Sequence, residues 1–229
     1  MINNPYIEKV KVHPKIFVDK DLISGYKGRW KDYFCNNNNI ILEIGTGLGN
    51  FFSSEVRDNQ NHNFIGMEIR YKRLYKTAEK TIGNTKNNDN SQIKVFGKED
   101  RKVDNFVLLK EYGEKIKDIF GENEISKTYI FFPDPWDKKE RQSKNRLLQK
   151  SFLNDLYQIT KKGGKLIFKT DNIGYFDFVL SQLLGTSWKI VIKSNDYEKD
   201  NLYKQDKITE FEQIFRGQDI KINYLELKK

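Results

Sequence analysis

The chain of 229 residues has little thiol or imidazole: one cysteine, Cys35, and two histidines, His13 and His62. A single thiol excludes a disulfide-stabilised scaffold, and so few thiols and imidazoles argue against a zinc or His-rich metal centre. We therefore predict no metal site. No run of about 18 apolar residues is present, so no segment is predicted to cross a membrane. The first residues lack the apolar stretch of a signal peptide, and a cytoplasmic location is expected.

Positive charge is in excess, with 41 Lys and Arg against 32 Asp and Glu and a net charge of +9. Such an excess favours a polyanionic partner, of which nucleic acid is the usual example. Alternatively, the excess is a feature of composition without a partner, because the chain is rich in Lys and Asn throughout. The distribution of the positive charge along the chain distinguishes these two interpretations. Aromatic residues make up 14% of the chain, enough to build a core, and this excludes an intrinsically disordered protein.

Strand and helix patterns alternate from residue 40 onwards, whereas the earlier residues show no clear alternation. We interpret 1–39 as a basic N-terminal arm and 40–229 as one domain. Strands are predicted at 40–45, 64–69, 93–96, 128–132, 165–169, 188–193 and 219–227. Helices are predicted at 50–57, 71–82, 103–120, 148–159 and 173–184, with a helical turn at 211–215. The alternation predicts an α/β fold, in which a doubly wound, mostly parallel sheet of seven strands has helices on both faces.

A glycine-rich segment containing Gly45, Gly47 and Gly49 joins the first predicted strand to a helix. Glycine there lets a ligand approach the backbone closely. Glu43 lies inside an otherwise apolar strand, and Glu68 ends the next strand, where an acid can accept hydrogen bonds from ribose hydroxyls. The G-x-G-x-G spacing differs from the G-x-G-x-x-G of dinucleotide sites. It resembles the first motif of class I methyltransferases, which bind S-adenosylmethionine, and it disfavours an NAD-dependent dehydrogenase.

Two further segments place polar residues where predicted strands end. Glu99 and Asp100 follow the predicted third strand, and either acid could accept the adenine amino group of a nucleoside cofactor. Asp134 is fixed between two prolines directly after the fourth strand, with Trp136 beside it. A basic segment follows, and an aromatic ring next to clustered cations is typical of nucleic-acid binding. Its predicted phosphate contacts are Lys139, Arg141, Lys144 and Arg146.

The sequence resembles the bacterial tRNA (guanine-N7)-methyltransferases. The matching segments are ILEIGTGLGNF, IGMEIR, FFPDPWDKK, GGKLIFKTD and TEFEQIFRGQDI, which together span residues 41–220. The resemblance implies a Rossmann-like class I methyltransferase that transfers a methyl group from S-adenosylmethionine to N7 of a guanine in the tRNA variable loop. It also implies that no obligate protein partner is needed. The alternatives are a methyltransferase acting on another RNA base or on a small molecule, and a non-catalytic RNA-binding subunit.

The resemblance also assigns roles to individual residues. Glu43, Glu68 and Asp134 match the acids that contact the cofactor, and Asp134 matches the active-site position as well. Of the two acids after the third strand, Glu99 aligns better than Asp100. The positions matching the substrate side are Lys138, Asp171, Thr209, Glu210, Phe211 and Glu212. The family often has proline or histidine where this chain has Asp137, and its basic segment is richer in arginine.

Overall fold

The computed structural model describes residues 4–83, 104–202 and 207–229, and an eight-stranded sheet forms its centre. The strands are β1 (Ile16–Phe17), β2 (Asn39–Ile44), β3 (His62–Met67), β4 (Phe106–Leu109), β5 (Ile125–Phe131), β6 (Thr160–Thr170), β7 (Lys189–Ser194) and β8 (Asn223–Lys228). Their order across the sheet is β1-β4-β3-β2-β5-β6-β8-β7. Neighbouring strands are parallel, except that β8 runs antiparallel to both β6 and β7.

Helices cover both faces of this sheet. They are α1 (Tyr6–Lys11), α2 (Lys20–Gly25), α3 (Trp30–Phe34), α4 (Asn50–Asp58), α5 (Tyr71–Ile82), α6 (Ile116–Ile119), α7 (Lys150–Ile159), α8 (Ile173–Leu183) and α9 (Glu210–Arg216). One apolar cluster joins the sheet to α1, α4 and α5, and another joins it to α2, α3, α6, α7 and α8. The predicted doubly wound α/β architecture is therefore confirmed. None of the helices in the described ranges has both the length and the apolar composition needed to cross a membrane.

Two details of the predicted sheet are corrected. Within the described residues the sheet has eight strands: six that the sequence predicts, together with β1 and β4, which pair in parallel at one edge. The predicted helix at 103–120 is wrong in its first part, where β4 forms instead. All four residues of β4 are apolar and buried, as expected for a parallel strand covered on both faces, and so short a run also fits helical spacing. The predicted strand at 93–96 lies outside the described residues.

The residues before β2 pack on the sheet. The Trp30 side chain is fully buried, and its Nε1 donates to the Ile119 carbonyl oxygen at 3.0 Å. The Glu124 carboxylate accepts hydrogen bonds from the backbone N–H groups of Gly28, Trp30 and Gly121. These contacts tie α3 to α6 and to the residues just before β5, so the core includes residues before position 39, where the sequence pattern places a boundary.

Parallel pairing determines where a ligand can bind. The carboxyl ends of β2, β3, β4 and β5 meet at the same edge of the sheet. In open α/β sheets this edge is the usual ligand-binding side, at the point where the strand order reverses. That point lies at β2, which has β3 on one side and β5 on the other. The segments with unusual glycines, acids and prolines all follow these strands.

Candidate active site

A cavity of about 850 Å³ opens at the carboxyl edge of the sheet. It is lined by the loops that follow β2, β3, β4 and β5, by residues before and within α7, and by α9. Small-molecule sites usually occupy roughly 300–1,000 Å³. The cavity is therefore large enough for a nucleoside-sized ligand, and its walls include several of the segments that the sequence singles out.

The glycine-rich loop between β2 and α4 forms one wall. Gly45, Gly47 and Gly49 have φ angles of 85°, 56° and 76°, in the left-handed region that favours glycine. A Cβ atom on Gly49 would lie 2.5 Å from the Thr77 side chain, so this glycine is required by packing on α5 and does not line the cavity. A Cβ on Gly45 or Gly47 would meet no atom of the described residues within 4 Å, and both line the cavity. These two glycines present bare backbone to a ligand.

Glu68, directly after β3, is held by the backbone around it. Its Oε2 accepts a hydrogen bond from the Gly47 N–H at 3.2 Å, and its Oε1 accepts one from the Arg70 N–H at 2.9 Å. A carboxylate offers about four lone-pair sites, so acceptor capacity remains. Glu68 is buried and lines the cavity. The structure thus gives it the position and the free acceptors that binding a pair of hydroxyl groups requires.

Glu43 is a buried acid in β2 that faces the cavity. Its Oε2 has no hydrogen-bond partner within the described part of the chain, and neither has the hydroxyl of Thr46 on the same wall. Burial, followed by the negative charges of Glu210, Glu55 and Glu68, raises the pKa of the Glu43 carboxyl well above its ordinary value. A buried acid without a partner is costly. A ligand that brings a cationic group to this wall would supply the missing partner.

We expect Glu43→Gln to stabilise the ligand-free protein by about 1–2 kcal/mol at about pH 8. A carboxyl whose pKa is raised by folding binds protons more tightly in the folded state, so its contribution to the free energy of unfolding falls as pH rises above the pKa of the unfolded chain, about 4.3. Glutamine does not titrate, so the difference in the free energy of unfolding between Glu43→Gln and the wild type should shrink towards about pH 4. Urea unfolding at both pH values measures this difference.

The matched control is Glu8→Gln in α1, because Glu8 is an exposed acid that forms an ion pair with Lys11 at 2.9 Å and is not among the charges that act on Glu43. That control should not gain stability. A Glu43→Gln protein no more stable than the wild type at about pH 8 would contradict the account of this buried acid.

Glu111 is a cavity residue that sequence reasoning missed. Glu99 and Asp100 lie outside the described residues. β4 pairs with β3 on the side away from β2, and Glu111 lies two residues after the end of β4. Its side chain is buried and lines the cavity. Its Oε1 accepts a hydrogen bond from the Tyr112 N–H at 2.9 Å. The signal in the sequence was the apolar run FVLL with an acid two residues after it, a run whose spacing also fits the helix predicted at 103–120.

The loop after β5 places Asp134 at the mouth of the cavity, with Trp136 41% exposed beside it. Phe132 and Trp136, on either side of the Pro133–Pro135 segment, have φ angles of 50° and 46°. Non-glycine residues in this region cost roughly 1–3 kcal/mol each, and such strain clusters at functional sites. The two prolines and the two left-handed residues restrict the loop to one backbone conformation. In this conformation Asp134 lines the cavity.

Asp137, the departure from the family pattern, has a partner. Its Oδ2 accepts a hydrogen bond from Asn172 Nδ2 at 2.6 Å, while Asn172 Oδ1 accepts one from the Tyr175 N–H and caps α8. Asp137 therefore ties the loop to α8. Asp171, next to Asn172, is exposed and does not line the cavity. Partial burial raises the pKa of the Asp171 carboxyl, and the negative charge of Asp137 raises it further. A hydrogen bond to its own backbone lowers this pKa, but by less.

The first residues of α9 close the cavity on another side. Thr209 caps the helix by accepting a hydrogen bond from the Glu212 N–H at 3.1 Å. Glu210 Oε1 accepts one from the Asn50 N–H at 2.9 Å, which joins α9 to the start of α4. Phe211 is exposed and lines the cavity, and its ring packs against Phe215 and Phe132. Thr209, Glu210 and Phe211 thus reach the site predicted for them.

Glu212 faces the interior instead of the cavity and is 1% exposed. Its Oε2 accepts a hydrogen bond from Lys169 Nζ at 3.2 Å, and its Oε1 accepts one from Arg216 at 2.6 Å. Lys169 is itself fully buried in β6 and also donates to the Tyr197 hydroxyl at 3.1 Å. The geometry of Glu212 therefore suits anchoring α9 to the sheet rather than direct contact with a substrate.

The basic segment after Trp136 forms a 3₁₀ helix over Glu140–Asn145 and not the start of α7. The predicted RNA-contacting side chains Lys138, Lys139, Arg141 and Lys144 are exposed, as RNA binding requires. Lys144 and Arg146 line the cavity as well. Arg146 is only half-exposed and is engaged with the loop that carries Asp134.

Comparisons with known proteins agree with this geometry. A family model described as “Putative methyltransferase” matches residues 37–225. The chain is 33% identical over 206 residues to a tRNA (guanine-N(7)-)-methyltransferase of Brevibacillus brevis, covering 89% of this chain and 87% of that relative. It is 37% identical over 230 residues to a bifunctional glycosyltransferase/methyltransferase of Fusobacterium nucleatum, covering 99% of this chain but 33% of that relative's length. A solved structure described as an antibiotic-related methyltransferase superimposes with a TM-score of 0.58 at 15% identity, over 92% of this chain and 94% of that one.

The described residues have a Rossmann-like α/β fold, and the family model over residues 37–225 identifies the chain as a methyltransferase. The solved structure supports the fold alone, because the identity is low. The sequence relatives and the family model support more. This chain belongs to the tRNA (guanine-N7)-methyltransferase family.

Proposed function

We propose that this protein transfers a methyl group from S-adenosylmethionine to N7 of a guanine in tRNA, in the variable loop. The proposal rests on one observation: a buried acid and an acid beside an exposed aromatic ring face the same cavity. Glu43, a buried acid whose Oε2 has no hydrogen-bond partner among the described residues, faces it from β2. Asp134, beside the exposed ring of Trp136, faces it from the loop after β5. The first group suits a cationic cofactor, and the second suits an aromatic base.

The residues at the carboxyl edge of the sheet fit the cofactor. Glu68 is placed to accept hydrogen bonds from the ribose hydroxyls, and Gly45 and Gly47 leave room for the cofactor along the backbone. Glu43 suits the cationic amino-acid end, and Glu111 is placed for the adenine edge. When bound, S-adenosylmethionine supplies an electrophilic methyl group, which a guanine N7 lone pair can accept without prior removal of a proton.

The substrate side needs positioning and charge stabilisation more than a general base. The Asp134 carboxylate can orient the guanine and stabilise the positive charge that methylation places on its ring. Trp136 and Phe211 offer exposed aromatic surface at the mouth of the cavity, on which a base can stack. The exposed cations Lys138, Lys139, Arg141 and Lys144 follow directly, where they can contact the phosphates of an RNA whose base has entered the cavity.

We expect Glu68→Ala to weaken S-adenosylmethionine binding by about 1–3 kcal/mol, because the ribose hydroxyls lose a buried acceptor. Isothermal titration calorimetry measures the affinity, and thermal unfolding checks that the loop still folds without the Gly47 hydrogen bond. Asp58→Ala at the exposed end of α4 is the matched control and should bind as the wild type does. Unchanged binding by a folded Glu68→Ala protein would remove Glu68 from the cofactor site.

We expect the triple variant Lys138→Ala, Arg141→Ala, Lys144→Ala to weaken tRNA binding and to flatten its salt dependence by about one unit of slope per lost phosphate contact. Cofactor affinity should stay the same. The matched control removes three exposed lysines of β7 and β8, namely Lys189, Lys193 and Lys228. Filter binding over a range of salt concentrations gives the slopes. Equal slopes for the wild type and the triple variant would place the RNA elsewhere on the protein.

The proposed function is tested with methyl-labelled S-adenosylmethionine and unmodified tRNA transcripts. We expect label in tRNA. Free guanosine should stay unlabelled because it lacks the phosphates that the basic surface would bind, and ribosomal RNA should stay unlabelled because the proposed acceptor is a guanine of the tRNA variable loop. Label in ribosomal RNA alone would support a methyltransferase acting on a different RNA. Tight tRNA binding without label in any acceptor would support a non-catalytic RNA-binding subunit.

A further inference from the structure

Arg146 makes directed contacts that a phosphate-binding arginine would not need. Its Nε donates to the Pro135 carbonyl oxygen at 2.7 Å, and its Nη1 donates to the Gly174 carbonyl oxygen at 3.4 Å. The guanidinium carbon also lies 5.2 Å from the ring centroid of Tyr175 and 4.8 Å from that of Phe178. The side chain thus joins the loop that carries Asp134 to the first two turns of α8.

The neighbouring cations differ from Arg146 in this respect. Lys138, Arg141 and Lys144 are exposed, and their side chains have no hydrogen bond or ion pair with the side chains and backbone that the structure describes. They are available to an external anion. Arg146 is half-exposed, and its guanidinium group already donates from Nε and from Nη1 to two carbonyl oxygens and lies beside two aromatic rings.

The loop that Arg146 contacts needs to be held in place. Phe132 and Trp136 both adopt left-handed backbone conformations, which persist only where the surroundings fix them. On the β5 side the Phe132 N–H donates to the Lys169 carbonyl oxygen at 2.8 Å. On the other side the fixing contacts are the bond from Arg146 to Pro135 and the bond from Asn172 to Asp137.

We infer that Arg146 is a positioning residue, which fixes the Asp134–Trp136 segment against α8 and does not bind phosphate. Lysine cannot replace it, because an ammonium group lacks both the fixed Nε–H direction and the flat surface that packs beside aromatic rings. The consequence for catalysis rests on the proposed function, since it acts through Asp134 and Trp136. The structural consequence does not, because it concerns the loop in the protein alone.

The structural test uses the protein labelled with 5-fluorotryptophan, in which fluorine NMR should give one resonance for each of Trp30, Trp136 and Trp188. Trp30 and Trp188 are buried in the core, so they report global folding, whereas Trp136 reports the loop. Replacing Trp136 with phenylalanine assigns its resonance. We expect Arg146→Lys to shift or broaden the Trp136 resonance and to leave the other two unchanged.

The matched control is Arg29→Lys, because Arg29 also donates to a backbone carbonyl oxygen, that of Gly25 at 2.7 Å, away from the cavity. It should leave the Trp136 resonance unchanged. Phe178→Leu provides a second variant that keeps the charge of Arg146 and removes one ring beside it. We expect a smaller change of the Trp136 resonance in the same direction, which a phosphate-binding role for Arg146 would not produce.

The functional test separates positioning from RNA binding. We expect Arg146→Lys and Arg146→Gln to lower kcat about 10-fold, with the Kd for tRNA within about twofold of the wild type and with an unchanged salt slope. An unchanged Trp136 resonance in Arg146→Lys would overturn the inference, and so would a salt slope lowered by about one unit in Arg146→Gln. If the wild type does not methylate tRNA, the proposed function fails, and the fluorine measurement still decides the role of Arg146.

Discussion

Replacing Asp134 with asparagine should lower the single-turnover rate of methyl transfer about 100-fold, the usual scale for losing one positioned polar group in a transition state. Asparagine has nearly the shape of aspartate, so the strained loop and the fold should remain. The amide lacks the negative charge that would stabilise the methylated, cationic guanine. Rapid-quench measurement with saturating S-adenosylmethionine and tRNA isolates this step from product release.

Asp118→Asn on the surface of α6 is the matched control, since its carboxylate pairs only with Lys115 at 3.6 Å among the described residues. Its rate should equal that of the wild type. A near-wild-type rate for Asp134→Asn, with an unchanged melting temperature, would leave Asp134 with only a structural role in its turn. Asp134→Ala should be at least as slow as Asp134→Asn.

The second large effect is expected at the buried pair of Lys169 and Glu212. Lys169→Met should lower the free energy of unfolding by about 3–5 kcal/mol, the cost of leaving one member of a buried ion pair without its partner. Among the described residues, the Glu212 carboxylate would then keep its bond to Arg216 alone, while it remains buried in α9. Because Thr209 and Phe211 at the start of α9 line the cavity, we also expect methyl transfer to fall.

A double-mutant cycle measures this coupling. Lys169→Met with Glu212→Gln removes both charges, so the double variant should be more stable than the sum of the two single losses predicts, by about 1–3 kcal/mol. Urea unfolding supplies the four free energies. Additive losses would show that the two side chains do not stabilise each other, and that α9 is held by other contacts.

The sequence predicts best where local rules determine the backbone. The loop after β2 has glycines at positive φ, and the loop after β5 has an aspartate between two prolines, so few backbone conformations are open to either loop. Both loops follow parallel strands and therefore lie at the same edge of the sheet. The order of elements from β2 to α5 follows from apolar spacing alone. These features were enough to predict the fold class and to place Glu43, Glu68 and Asp134 around one site.

Prediction from the sequence fails where contacts with distant parts of the chain determine the local structure or the role of a side chain. The run at Phe106–Leu109 is too short to distinguish strand from helix until β1 and β3 pair with it. A glutamate in TEFE has the same chemistry whether it faces a ligand or, like Glu212, a lysine 43 residues earlier in the chain. Likewise, Arg146 is one cation among several in the sequence, and its contacts with Pro135 and with α8 in the folded chain distinguish it from the exposed ones.

The central claim is transfer to N7 of guanine in tRNA, and one substitution in the RNA tests it most directly. Transcripts in which 7-deazaguanosine replaces guanosine keep the base-pairing edge and lose only the N7 atom. With methyl-labelled S-adenosylmethionine, we expect full labelling of the ordinary transcript and none of the deaza transcript, while both bind the protein equally. Labelling of the deaza transcript would contradict the account, because the methyl group would then be accepted by a different atom.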